Sequence, residues 1–280
     1  MARFLLFFVI FSVAHLDAIA SDLEAVLRQT YVSCVGIGDM LGDMKKMAGV
    51  NTVVTGVGTA AGVGAVVVGI KKQNLLFETL REIETNAENN FSGDDEFYVE
   101  PQVGFKPELK SQKRKKLGNW RTGLLAVNTA TNVAGAVIST KNVNNDDLYD
   151  AVQKCVNSVD VLHNALIQAR YENIDVAEAN DIYNACSGYK YVDLSVIQKR
   201  AKGAQISSIV GGGVSAVGVV TSQIANSSGG DKEKKLDTVS NVLAGGATVA
   251  SGAATVFNAM QISAIKRIVD VAQKCEVALK

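Results

Sequence analysis

The sequence predicts an all-α protein made of two tandem long antiparallel helical hairpins, each closed at its base by a cysteine pair. Three observations predict it. First, the 280 residues contain only two prolines, Pro101 and Pro107, and these are close neighbours. A chain so poor in proline, and rich in Ala, Val, Lys, Asn and Gln, reads as helix over most of its length. Second, the order of parts is the same in both halves: cysteine, Gly/Ala/Val-rich stretch, charged linker, second small-residue stretch, cysteine. Third, the midpoint between each flanking cysteine pair falls on the best turn signal of its half. For Cys34 and Cys155 it lies in Phe91-Ser92-Gly93-Asp94-Asp95, and for Cys186 and Cys275 in Ser227-Ser228-Gly229-Gly230-Asp231.

The chain opens with the order of a secretory leader: Arg3, then the apolar run Phe4 to Phe11, then the small-x-small triplet Ala18-Ile19-Ala20. Residues 1–20 are expected to be a cleaved signal peptide, with the mature chain starting near Ser21. The apolar run is short for a membrane span, which needs ~20 residues. Four cysteines on an exported chain favour disulfides. Helices that turn at the two midpoints bring Cys34 to Cys155 and Cys186 to Cys275.

The first repeat, 21–172, has arms at Ala48–Ile70 and Gly118–Thr140 and an irregular tip over 90–110. The tip carries both prolines and an acidic patch of Asp94, Asp95, Glu96 and Glu100. An amphipathic connector follows, with Val156, Val159, Leu162, Leu166 and Ile167 at helical spacing, ending near Asn173. The second repeat, 173–280, has arms at Gly203–Ala225 and Thr238–Ala259 and a tight turn. A local register supports duplication: Leu117 stands 38 residues before Cys155 and Leu236 stands 39 before Cys275. In that register Leu124 falls on Leu243, Thr129 on Thr248, Ala134 on Ala253 and Val137 on Val256.

Glycine inside a helix costs about 1 kcal/mol against alanine, yet Gly49–Ile70 holds six. Close helix approach is the usual compensation. Small residues at four-residue steps fit that: Ala48, Thr52, Gly56, Ala60 and Gly64 in the first stretch. Ala126, Ala130 and Ala134 repeat the pattern in the second. Ser208, Gly212 and Ala216 do so in the third, and Ala247, Ser251 and Thr255 in the fourth. These are the expected helix-packing residues.

Such faces suit a membrane, where small-xxx-small stripes associate helices, and they also suit tight packing in water. The uncharged runs 47–70, 122–140, 203–230 and 238–265 are long enough to span a bilayer. Asn128, Asn132, Gln205, Gln223, Asn241 and Asn258 dilute the last three. Charge gives no orientation: residues 71–116 hold nine basic and nine acidic side chains, so no positive-inside bias emerges.

The chemistry of catalysis is missing from the pattern. The 28 basic and 28 acidic residues balance, which disfavours nucleic acid as a partner. His163 is the histidine of the expected mature chain and has no nucleophile motif beside it. No cysteine pair has zinc-ligand spacing. Gly211-Gly212-Gly213 lacks the Lys-Ser/Thr tail of a phosphate loop, and Gly56-Val57-Gly58 followed by Gly62 lacks the βαβ context of a dinucleotide fingerprint. No cofactor, metal or small-molecule substrate is expected. Lys113-Arg114-Lys115-Lys116 is a basic cluster that reads either as a solvated helix start or as a contact for anionic lipid. Asn90-Phe91-Ser92 and Asn226-Ser227-Ser228 are acceptor sequons, relevant in a eukaryotic source.

The segments Ala48-Gly49-Val50-Asn51-Thr52, Thr129 to Gly135 and Ser240 to Gly246 carry a resemblance. The chain resembles uncharacterised exported Gly/Ala-rich helical-hairpin proteins of uncultured gut alphaproteobacteria. That resemblance implies a bacterial envelope location and no activity. Two functional readings follow: an exported, non-enzymatic structural or interaction protein of the envelope that associates with itself or another envelope protein, or a membrane-inserting assembly in contact with lipid.

Overall fold

The structure, a computed structural model, describes residues 22–91 and 107–280. The expected leader 1–20 and residues 92–106 of the expected tip lie outside the described residues. All described elements are helices. α1 covers 22–34 and α2 is Ile37–Phe91; α3 is Pro107–Val143 and α4 is Asp146–Tyr171. α5 is Ala177–Cys186, followed by a 3-10 turn at Ser187–Tyr191; α6 is Leu194–Ser227 and α7 is Gly230–Ala278.

Local chemistry sets the breaks. Gly36 has φ +86°, a left-handed conformation that separates α1 from α2 at little cost only for a residue without Cβ. α4 ends at the place the connector was expected to end. Asn173 takes φ +57°, and the Ile174 N–H donates back to the Ala169 carbonyl at 3.0 Å, which satisfies an orphan carbonyl of the last turn. Asp193 opens α6 by accepting from the Ser195 N–H at 2.9 Å. The expected tight turn is present: residues 228–229 join α6 to α7, with Gly230 at φ +59°.

The described chain forms two compact units, each drawing on both halves of the sequence. The first takes the described residues up to Gly49 with Lys141–Ala201 and Ala259–Lys280. Its core is conventional and aliphatic: Ile37, Leu41, Leu148, Val159, Leu162 and Ile265 are buried, with Tyr189 among them. Two disulfides lie in this core, Cys34–Cys155 and Cys186–Cys275, the pairs expected from the sequence, with no solvent exposure at any of the four cysteines. They close separations of 121 and 89 residues. In the chain-entropy model loops of that size stabilise by about 4–5 kcal/mol each.

The second unit takes Val50–Thr140 and Lys202–Asn258. Its four helices pack antiparallel to their neighbours. α2 meets α3 where Asn51 bonds Ser139 and where Gly64 faces Leu124. α6 meets α7 where Gly203 faces Phe257 and Gly218 faces Leu243. α2 also meets α7, through Thr59–Thr255 at 3.4 Å, and α3 meets α6, through Thr122–Ser222 at 2.9 Å. Each small-residue helix therefore has two partners, one from its own half of the sequence and one from the other.

Candidate functional site

Burial in the second unit follows an alternation of three- and four-residue steps, with Ala61 and Gly212 buried beside it. In α2 the buried positions include 51, 55, 58, 62, 65, 69, 72, 76 and 79. α3 follows with 118, 121, 125, 128, 132, 135 and 139, and α6 with 204, 208, 211, 215, 218, 222 and 225. In α7 they are 233, 237, 240, 244, 247, 251, 254 and 258. This is the heptad seam of a left-handed helical bundle, in which a mean step of 3.5 residues keeps one face on the partner.

The expected packing residues distribute accordingly. Ala48, Ser208, Gly212, Ala247 and Ser251 are buried, and Thr52, Gly56, Gly64 and Thr255 are half-buried. Ala60, Ala126, Ala130, Ala134 and Ala216 face outward, a departure from the expected four-residue stripe. The reason is geometric. Steps of four advance 400° on a helix with 3.6 residues per turn, so the stripe drifts around the cylinder while the seam does not.

The seam is polar or small where a soluble bundle would place leucine. Leu76 and Leu125 are the large aliphatics among the buried described residues of this unit; Asn, Ser, Thr, Ala and Gly fill most of the rest. In one layer Asn51 donates from Nδ2 to Ser139 Oγ at 2.7 Å and to Asn258 Oδ1 at 3.0 Å. In another, Asn132 donates to Ser251 Oγ at 2.7 Å, and Ser251 donates to Asn128 Oδ1 at 2.9 Å. Thr255 donates to Thr55 Oγ1 at 3.1 Å between them. Glycine lets the backbones close on these layers. A Cβ on Gly62 would collide with Thr248 and lie 2.8 Å from Asn128 Nδ2, and one on Gly135 would lie 2.8 Å from Thr55 Cγ2. Asn51 Oδ1, Asn128 Nδ2, Asn132 Oδ1, Asn258 Nδ2 and Ser208 Oγ are buried without a partner.

The outer surface is the reverse. Val53, Val242 and Val249 are 67%, 71% and 74% exposed, and Val63, Val133, Val137, Ile206, Ile209 and Val220 are likewise exposed. α2 (within Asp22–Thr85), α6 and α7 are long and apolar enough to cross a membrane, and only 28–33% of their most apolar stretches is buried.

At one end of the seam sits an ion cluster. Lys72 Nζ lies 3.0 Å from Asp237 Oδ2 and 3.2 Å from Glu233 Oε1, and it donates to Asn226 Oδ1 at 2.9 Å. Arg121 reaches Asp237 Oδ1 and the Asp237 carbonyl, both at 3.2 Å. Sequence reasoning passed over this cluster. Lys72, Arg121, Glu233 and Asp237 all fall on the three-four seam, and a search for charges on that register would have found them.

The remaining candidates resolve into structural roles. The Cys34, Cys155 and Cys275 sulfurs lie within 4.8 Å of one another, but each is in a disulfide, so none is a thiolate ligand. His163 is exposed and stacks on Tyr183, ring centroids 4.7 Å apart. Gly211 and Gly212 pack against Asn132 within helix α6. Asn226, the acceptor of the second sequon, is held in α6 by Lys72 and lies against Gly118. Lys113, Lys115 and Lys116 are exposed. Burial, assisted by the charge of Glu276, raises the Tyr189 phenol well above its ordinary range.

A helical bundle with a polar seam and an apolar exterior defines the class of architecture. Comparison with protein-family models finds no match, and neither a curated protein nor a solved structure matches the chain.

Proposed function

We propose that this is an exported, non-enzymatic protein of the cell envelope that inserts its small-residue helices into a lipid bilayer. The observation that carries the reading is the inverted polarity of the second unit, with amides and hydroxyls inside and Val and Ile outside. In water, burying Asn and Ser while exposing valine forgoes about 25 cal/mol for each Å² of apolar surface left wet. In hydrocarbon the same distribution is favourable, because lipid covers the valines and Asn51, Asn132 and Ser251 donate across helices to Ser139, Asn258, Ser251 and Asn128.

Length supports it. No Asp, Glu, Lys or Arg occurs over 50–70, 122–140, 203–230 or 238–258. At ~1.5 Å per residue the shortest run measures about 28 Å, close to the ~30 Å hydrocarbon core. The contacts of Asn51 with Ser139 and Asn258, and of Lys72 with Asn226 and Asp237, bring the four runs into one register. α3 is the least apolar of the four, and its polar residues Asn128, Asn132 and Ser139 are the buried ones.

Four crossings return the chain to its starting side, so both disulfides share one side, in an oxidising compartment such as the periplasm. The two tandem hairpins, α2–α3 and α6–α7, are the insertion units in this reading, and the leader at 1–20 delivers them. The envelope location also accords with the resemblance to exported Gly/Ala-rich hairpin proteins.

Carbonate extraction of membranes from cells making the full chain tests the proposal. Retention in the membrane pellet is expected. Release as a soluble oligomer would overturn it and favour the alternative, in which the exposed Val and Ile face is covered by further copies of the chain.

A further inference from the structure

Just beyond the charge-free runs, at the end marked by the ion cluster, two acids are buried while several lysines stay outside. Glu233 and Asp237 turn inward, buried, onto Lys72, Arg121 and Arg114, with Arg114 Nη1 3.9 Å from Glu233 Oε2. Lys71, Lys113, Lys115, Lys116, Lys232 and Lys235 remain exposed on three of the four helices, while Glu78 and Glu84 of α2 and Asp231 of α7 are exposed acids at the same end. These lysines outnumber those acids and give the end a basic collar. Trp120, 62% exposed, stands two residues before the uncharged run of α3. A tryptophan at that level is where indole rings settle at a bilayer interface. Between α3 and α6 a groove of about 440 Å³ is lined by Lys115, Asn119, Thr122, Gln223, Asn226 and Ser227. It presents one cation and several amides and hydroxyls, a donor set suited to phosphate oxygens.

We propose that this collar docks in the headgroup layer of an anionic phospholipid leaflet, with the α3–α6 groove receiving a headgroup phosphate. The proposal rests on bilayer insertion and adds to it the lipid class at one end of the bundle. Surface lysines near an anionic leaflet each strengthen partitioning about fivefold, and salt screens the effect.

The test is flotation of the purified, exported full chain with vesicles of phosphatidylcholine alone or phosphatidylcholine mixed with phosphatidylglycerol. Trp120 emission is read in the bound fraction. Tighter partitioning onto the anionic vesicles is expected, with loss of that excess at high salt and a blue-shifted tryptophan. The variant Lys113→Gln/Lys115→Gln/Lys116→Gln alters exposed side chains only. It is expected to lose about a hundredfold of the anionic preference and to keep its helical circular dichroism and its binding to the neutral vesicles. Equal partitioning of the native chain onto both vesicles, or an unchanged preference in the variant, would overturn the collar while leaving insertion intact. Absence of binding to either vesicle would overturn both proposals. Replacing chloride by inorganic phosphate at equal ionic strength is expected to leave partitioning unchanged; full competition would assign the groove to free phosphate and overturn the lipid assignment.

Discussion

Lys72 Nζ lies 3.0 Å from Asp237 Oδ2 with the two side chains 1% and 0% exposed, although 165 residues separate them in sequence. Arg121 closes on the same carboxylate. Removing the anion alone, in Asp237→Ala, leaves buried Arg121 with no carboxylate and Lys72 with Glu233 as its one remaining acid, and is expected to cost about 3–5 kcal/mol. The combined variant Lys72→Met/Arg121→Met/Glu233→Gln/Asp237→Leu removes the buried charges together and is expected to recover most of that loss. Denaturant unfolding of the single and combined variants checks the pair of outcomes; equal destabilisation by both would contradict the account.

Two glycines of α2 separate packing from propensity. Gly62 faces Thr248 and Asn128, whereas no atom lies within 4 Å of a Cβ placed on Gly56. Gly62→Val forces the helices apart and is expected to destabilise by at least 1–3 kcal/mol, the usual range for overpacking. Gly56→Ala removes a helix-interior glycine at no steric cost and is expected to stabilise by about 0.5–1 kcal/mol. Thermal unfolding in matched conditions reads both signs.

The exterior valines test the lipid-facing reading at single positions. Val63 and Val249 lie near the middle of their charge-free runs and are exposed. An arginine at mid-span costs about 2.5–3.5 kcal/mol of insertion. Val63→Arg and Val249→Arg together are expected to move the protein toward the carbonate-soluble fraction. Unchanged retention in the membrane pellet would count against insertion.

Alkaline pH should find the first unit through Tyr189. Its phenol is pushed up by burial and then by Glu276, and its Oη has no hydrogen-bond partner. The unfolded chain loses this proton first, near the ordinary value of ~10. The stabilisation is therefore fully present below pH ~10 and falls as pH rises toward the folded value. Tyr189→Phe is expected to change stability little at pH 7 and to flatten the alkaline limb, as read in urea midpoints across that range.

Reduction checks the covalent frame. Cys34→Ser/Cys155→Ser and Cys186→Ser/Cys275→Ser are each expected to lower stability by about 4–5 kcal/mol in the chain-entropy model, and non-reducing peptide mapping should return the two native pairs alone. A crossed Cys34–Cys186 peptide would contradict the structure.

The near absence of proline, the small-residue stretches and the cysteine spacing were enough to define long helices, the turn at 228–229, the end of α4 beside Asn173 and both disulfides. The helices, the turn and the end of α4 follow from local propensity, and the disulfides from the spacing of each cysteine pair about a turn signal. Which residues face inward was decided by the tertiary structure. A four-residue stripe through Ala126, Ala130 and Ala134 is regular in sequence, but the seam runs through Asn128, Asn132 and Gly135, because supercoiled helices keep contact every 3.5 residues. The ion cluster of Lys72, Arg121 and Asp237 depends on three helices arriving at one level, which no single segment encodes. The inverted polarity has the same origin: valine and small or polar residues are interleaved within each stretch, and only packing assigns the one to the outside and the other to the seam.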